Sequence, residues 1–230
     1  MGISVTPKMI TVPARILVSP QVKYRANATK ESQSGSWNLV NIKFTTGARI
    51  PAWSYLWLPM PDKDGNPFPN GPEATVRKFQ EVLVNNGVTA PLPLLLGAKC
   101  QLTSGNSSIN SARICEAMLK LSRNPLRPKF LLIIIPYKGD GTAGIYNQIK
   151  YMADVRLGIH TVCVIGSKFG NPRGQDQYFR NVAMKFNLKC GGINHSLDAN
   201  KLGIISAGGT MVVGIDGKTP WTVDLPGQPI

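Results

Sequence analysis

Histidine, cysteine and acidic residues are all scarce in this chain of 230 residues. Its two histidines, His160 and His195, and four cysteines, Cys100, Cys115, Cys163 and Cys190, include no Cys-x-x-Cys pair. That excludes a zinc ribbon or a disulfide scaffold, and the cysteines read as reduced packing residues. Gly-x-Ser-x-Gly and His-Glu-x-x-His are missing too, so the common hydrolase chemistries have no foothold. The longest clean apolar run, Phe130 to Pro136, falls far short of the roughly 18 residues of a membrane span. Met1 to Pro20 lacks a basic stretch leading into an apolar one, so the Asn-x-Ser/Thr matches at Asn27, Asn106 and Asn194 read as chance, and the protein as cytoplasmic. Acid is the most telling shortage. Only 12 Asp+Glu oppose 26 Lys+Arg, a formal net charge of +14, and an excess of that size is the electrostatic footprint of a polyanion partner, nucleic acid first.

What is present is enough length for one full domain with a sizeable core, plus flanking pieces. Residues 1–50 are polar and broken by Pro7, Pro13 and Pro20, with a loop from Ala26 to Ser36 between β-like stretches at Thr11 to Val18 and Trp37 to Phe44. They read as an extended connector. From Ala52 onward strand and helix signals alternate: a strand at Trp53 to Leu58, a helix at Glu73 to Asn86 and a helix at Ser107 to Arg123. The apolar surface of that second helix is assigned to Ile109, Ala112, Ala117, Leu119 and Leu121. Phe130 to Ile135, apolar throughout, reads as a central strand buried on both faces. A helix at Ala143 to Arg156, a strand at His160 to Ile165, a helix at Asp176 to Leu188 and a last strand at Thr210 to Ile215 follow. This order predicts an α/β fold: a Rossmann-like open, mostly parallel sheet with helices on both faces and ligands near the carboxyl ends of the strands.

Gly139-Asp140-Gly141-Thr142-Ala143-Gly144 is a literal G-x-G-x-x-G between a strand and a helix. A dinucleotide site also needs an acid near the end of the next strand to hold the ribose. Gly166, Ser167, Lys168 and Phe169 stand there, and no acid comes before Asp176. What remains is a glycine-rich loop with backbone N–H groups suited to a phosphate or base, or a plain βα turn. On the helix from Asp176, Lys185 and Lys189 stand at i, i+4 on the shoulder of the apolar stripe Phe179, Val182, Ala183 and Phe186. Tyr146 and Lys150 repeat that spacing on the preceding helix beside Ile145, Ile149, Met152 and Ala153. Helix-dipole stabilisation or a solvated surface pair accounts for either pair alone. Both together suit a phosphorylated nucleotide, a ring for the base and ammonium groups for the phosphate.

The combined string Tyr146-x-x-x-Lys150, Leu157-Gly158, Thr161-x-Cys163-Val164 and Lys185-x-Asn187-x-Lys189-x-Gly191-Gly192-x-Asn194 resembles the MID domain of eukaryotic Argonautes. Upstream, Arg15-Ile16-Leu17 and Trp37-Asn38-Leu39 through Lys43-Phe44 to Gly47 resemble the linker before that domain. Downstream, Thr210 to Asp216 is similar to the first PIWI strand with its leading catalytic aspartate. The resemblance implies a linker over 1–50, a MID domain over 51–203 and an incomplete PIWI-like start over 204–230. It implies a pocket for the 5′-phosphate of a small guide RNA in which Tyr146 stacks on the first base and Lys150, Lys185 and Lys189 bind phosphate. Animal members place a glutamine at Val162, and His160 or Thr161 is a candidate to replace that contact. Tyr137, Lys138, Gly139, Asp140, Gly141 and Thr142 would begin the base-reading loop. Asp216 is followed by Gly217-Lys218-Thr219-Pro220 and the other PIWI carboxylates are absent, so no RNA cleavage is expected of this chain. No cofactor or metal is implied. The expected partners of this monomer are 5′-phosphorylated guide RNA and the remaining Argonaute domains, PIWI above all, with no membrane.

Overall fold

The computed structural model describes residues 11, 13, 19–32, 35–60, 67–93, 97–126, 128–136 and 140–214, giving only the backbone for 140–143. The chain divides into two units, Met1–Ser196 and Leu197–Ile230. In the first, a short antiparallel hairpin of β1 (Gln21–Lys23) and β2 (Thr29–Glu31) precedes the main sheet. That sheet holds β3 (Trp53–Trp57), β4 (Ala98–Lys99), β5 (Phe130–Ile135) and β6 (His160–Ile165), all parallel, in the order β4-β3-β5-β6. The helices are α1 (Glu73–Asn85), α2 (Ser107–Ser122), α3 (Asp140–Lys150), the short α4 (Gly166–Phe169) and α5 (Gln175–Lys189).

All six residues of β5 are buried, because side chains alternate along a strand and helices cover both faces. Phe130, Leu132 and Ile134 enter one core with Val76, Phe79 and Leu83 of α1 and Phe179, Val182, Ala183 and Phe186 of α5. Leu131, Ile133 and Ile135 enter the other with Ile114, Met118 and Leu121 of α2 and Ile145 and Ile149 of α3. The expected α/β architecture is therefore present, with helices on both faces of a parallel sheet.

Several local expectations differ. On α2 the buried face is Asn110, Ile114, Met118 and Leu121, while Ile109 and Ala112 are exposed. A polar residue occupies a core position there because Asn110 donates to Thr103 O at 2.7 Å and accepts from Thr103 N at 2.9 Å; a search for apolar residues passes over it. The helix expected from Ala143 begins earlier, at Asp140, and beyond Lys150 it widens into a π-helical segment, Tyr151–Leu157, ending at Gly158. Asp140, Gly141 and Thr142, expected in a loop, lie in the first turn of α3, whereas Tyr137, Lys138 and Gly139 fall outside the described residues.

Of the segment expected as an extended linker, Thr11 to Val18 lies mostly outside the described residues, and Trp37 to Phe44 forms no strand. Instead Leu39, Ile42, Phe44 and Ile50 are buried, so the 35–50 stretch is packed by its apolar side chains without a ladder. In the second unit, the strand expected at Thr210 to Ile215 does not form over 210–214, and Ile215 and Asp216 lie outside the described residues. A strand needs a neighbour for its N–H and C=O groups. Among the described residues none pairs with 210–214, and Met211, Val212 and Val213 are exposed.

Phe79 lies at the centre of the first core, with ring centroids 5.7, 5.5 and 5.2 Å from those of Phe169, Phe179 and Phe186. Phe79→Ala opens a cavity between α1 and α5 and is expected to cost about 3–5 kcal/mol of stability, read from urea unfolding midpoints. A loss below about 1 kcal/mol would show that neighbouring rings collapse into the gap.

Candidate functional site

The two lysine-bearing helices lie on opposite faces of the sheet and both end beside the start of β6. Lys150 is the last residue of α3, and Lys189 the last of α5. Lys189 closes α5, where unpaired carbonyls and the dipole favour positive charge, whereas Lys150 stands where α3 passes into the π-helical segment that follows it. Between them is Thr161, fully buried as the second residue of β6. Lys150 Nζ donates to Thr161 Oγ1 at 2.7 Å and to Thr161 O at 3.1 Å, and Lys189 Nζ donates to the same carbonyl at 2.9 Å. The two charges are consequently no more than 6.0 Å apart. At that separation they repel by about 1–3 kcal/mol for effective dielectrics between water and a protein surface.

An ammonium has three N–H donors. Thr161 engages two on Lys150 and one on Lys189, which leaves three further donors on the two ammonium groups. Tyr146 stands one helical turn before Lys150, 41% exposed, with the Lys150 ammonium 5.7 Å from its ring centroid. Partial burial, then the Lys150 charge, push the Lys189 pKa below the ordinary lysine value. Cys163, on the same sheet face as Thr161, is pushed up to about 11 by burial, although Lys150, Lys189 and Lys185 all pull it down. The thiol stays protonated and is no nucleophile at neutral pH.

The structure therefore brings together Tyr146, Lys150, Thr161 and Lys189. Lys185, one turn before Lys189, is exposed and contributes its field to the same corner. His160 is turned to the opposite sheet face from Thr161, the face that α5 covers, with its ring 6.2 Å from that of Phe130. Val162 is buried in that same core and offers no polar group. Thr161, expected to touch an anion, is buried and instead holds the two lysines. The cluster sits at the amino end of β6, not the carboxyl ends expected for this fold class, because the lysines are at the ends of helices running back along the strands. Open clefts of about 510, 270 and 660 Å³ lie elsewhere, along α2. Converging charge marks the lysine corner as the candidate site, since a phosphate is met by donors. Among the described residues no group of histidine, cysteine and carboxylate side chains could hold a metal ion, and no helix is long and apolar enough to cross a membrane.

Residues 130–222 match the Piwi domain family. The argonaute of Schizosaccharomyces pombe is 28% identical over 219 residues, covering 94% of this chain and 25% of the relative. The chain spans a quarter or less of the length of the curated relatives it matches. Among solved structures, the N. crassa QDE-2 AGO MID-PIWI domains share 30% identity at a TM-score of 0.55, over 68% of this chain and 39% of that one. Kluyveromyces polysporus Argonaute with a guide RNA has the same fold at 23% identity and a TM-score of 0.57, over 85% of this chain and 24% of that one. With relatives of one kind along nearly its whole length and the sheet they share, the chain is an Argonaute homologue built on the α/β fold of the MID-PIWI region.

Proposed function

We propose that this chain grips the 5′-phosphate and first nucleotide of a small guide RNA, as the guide-anchoring part of an RNA-silencing Argonaute. The observation that carries the proposal is the convergence of Lys150 and Lys189 on the Thr161 carbonyl, which leaves three of their six N–H donors for the oxygens of one phosphate. A 5′-phosphate carries about −1.5 to −2 charge at pH 7, enough to offset the repulsion that the empty site contains. Lys185 strengthens the field from the next turn, and Tyr146 offers its exposed face to the first base. Residues 137–142 read the edge of that base. The solved K. polysporus relative holds a guide RNA, which supports the choice of ligand. Recognition is this chain's chemistry: Asp216 is its single match to a slicer carboxylate, so cleavage is not assigned to it. It works as a monomer in the cytoplasm beside PIWI and the remaining Argonaute domains, without a cofactor.

Competition between 5′-phosphorylated and 5′-hydroxyl forms of one short RNA tests the proposal. Lys189→Ala should lose about 1.5–3 kcal/mol for the phosphorylated form, the range for a hydrogen bond to a charged group, Lys185→Ala less because Lys185 acts through its field, and each almost nothing for the hydroxyl form. Equal losses for both would reduce the lysines to a general basic surface. Tyr146→Ala should weaken all four nucleoside 5′-monophosphates by about 1–3 kcal/mol through lost stacking.

The depressed Lys189 pKa gives a second check. A lysine whose folded pKa is lowered opposes folding wherever it is charged, and the opposition fades as pH rises through the folded pKa toward the ordinary lysine value. Lys189→Met should therefore leave the anion-free protein at least as heat-stable as wild type near pH 7. Wild type should gain melting temperature with added sulfate or phosphate, and the variant should not. A variant that still gains as much as wild type would remove Lys189 from the site.

A further inference from the structure

The turn that ends α5 is built around two asparagines. Asn187 lies two residues from both Lys185 and Lys189 and is fully buried. All the hydrogen-bonding groups of its amide are engaged: Oδ1 accepts from Ala48 N at 2.7 Å, and Nδ2 donates to Thr46 O at 3.1 Å and to Asn194 Oδ1 at 2.9 Å. Asn194 closes the loop by donating from Nδ2 to Met184 O at 3.1 Å. Around them, Thr46 and Ile193 exchange two backbone bonds of 2.9 Å. The helix ends with Gly191 at φ +83° and with bonds from Gly191 N to Leu188 O and from Gly192 N to Asn187 O, the paired pattern of a Schellman turn. Gly192 passes so close that a Cβ there would stand 2.2 Å from Asn187 Oδ1.

We infer that the Asn187–Asn194 clasp is the positioning device of the anion site, fixing the axial height and rotation of the last turn of α5. The inference rests on the guide-end reading of that site. Apolar packing tolerates small slides of a helix, but the site does not. One residue of register is about 1.5 Å along a helix and 100° around it. The Lys189 Nζ to Thr161 O bond is 2.9 Å long, and a full register step, rise and rotation together, displaces the Lys189 Cα by about 3.8 Å, far more than the slack left before the roughly 3.5 Å limit of a hydrogen bond. An apolar pair would fill the same volume without directional contacts, whereas a fully satisfied polar network specifies one arrangement. The clasp acts on binding through the lysines and touches no ligand itself.

The test uses this chain and two mild variants, Asn194→Ala and Asn194→Ser, with Asn187→Ala and Gly192→Ala as the severe ones. Each is measured for melting temperature and for affinity to one short RNA in 5′-phosphorylated and 5′-hydroxyl forms at fixed salt. The mild variants are expected to remain folded and to lose tenfold or more of the phosphorylated-to-hydroxyl affinity ratio, with hydroxyl affinity within twofold of wild type. A lowered melting temperature with an unchanged ratio would make the clasp merely structural and overturn the inference. So would equal weakening of both RNAs. A wild-type ratio near one would instead bring down the guide-end reading itself, and the inference with it.

Discussion

Six consecutive buried apolar residues, Phe130 to Ile135, constrain the rest of the sheet unit. A strand with no polar side must be covered on both faces, so helices have to stand in two layers, and the parallel β3 and β6 beside it require crossovers to bring the chain back. α1 and α5 fill one layer, and α2 and α3 the other. Because each crossover helix runs antiparallel to the strand that follows it, α3 ends near the start of β6. α5 returns along β6 on the opposite face and ends at the same corner. The location of the lysine corner is thus a product of topology, and at Lys189 its charge complements a helix C-terminus.

That corner is unusual for a parallel sheet, whose ligands ordinarily gather at the carboxyl edge, where helix N-termini supply N–H groups. Here the donors gathered at the corner are side chains. Backbone N–H groups do not accumulate at helix C-termini, so cationic side chains are the available means of meeting an anion there. Thr161 holds the arrangement in place: its carbonyl accepts from both ammonium groups and its hydroxyl from Lys150, so Lys150 cannot swing into solvent without costing the buried hydroxyl that bond.

Much of this was legible in the sequence, and the exceptions share a cause. Uniform hydrophobicity located β5, spacing located the stripe of α5, and repeated i, i+4 pairs singled out Tyr146, Lys150, Lys185 and Lys189. Composition was silent wherever a polar side chain does a core residue's work. Asn110, Thr161, Asn187 and Asn194 are all buried, yet only their hydrogen bonds, made to chain segments 7 to 141 residues away, reveal why. The strap over 35–50 was misjudged for a related reason: its buried Leu39, Ile42 and Phe44 follow no strand or helix period, since irregular backbone imposes none. His160 and Thr161 are neighbours with the same sequence credentials, and the alternation of a strand, invisible until the faces are known, separates them.

The two ammonium groups reach Thr161 from helices of different layers, one packed on each side of the sheet. A phosphate held between them is therefore a non-covalent rivet through the rim of a sandwich. Loading it would tighten the coupling between the two layers, so that amide hydrogens at the ends of α3 and α5 would exchange more nearly in concert with ligand bound than without it. The 5′ end of a guide would then be a mechanical part of the domain that holds it.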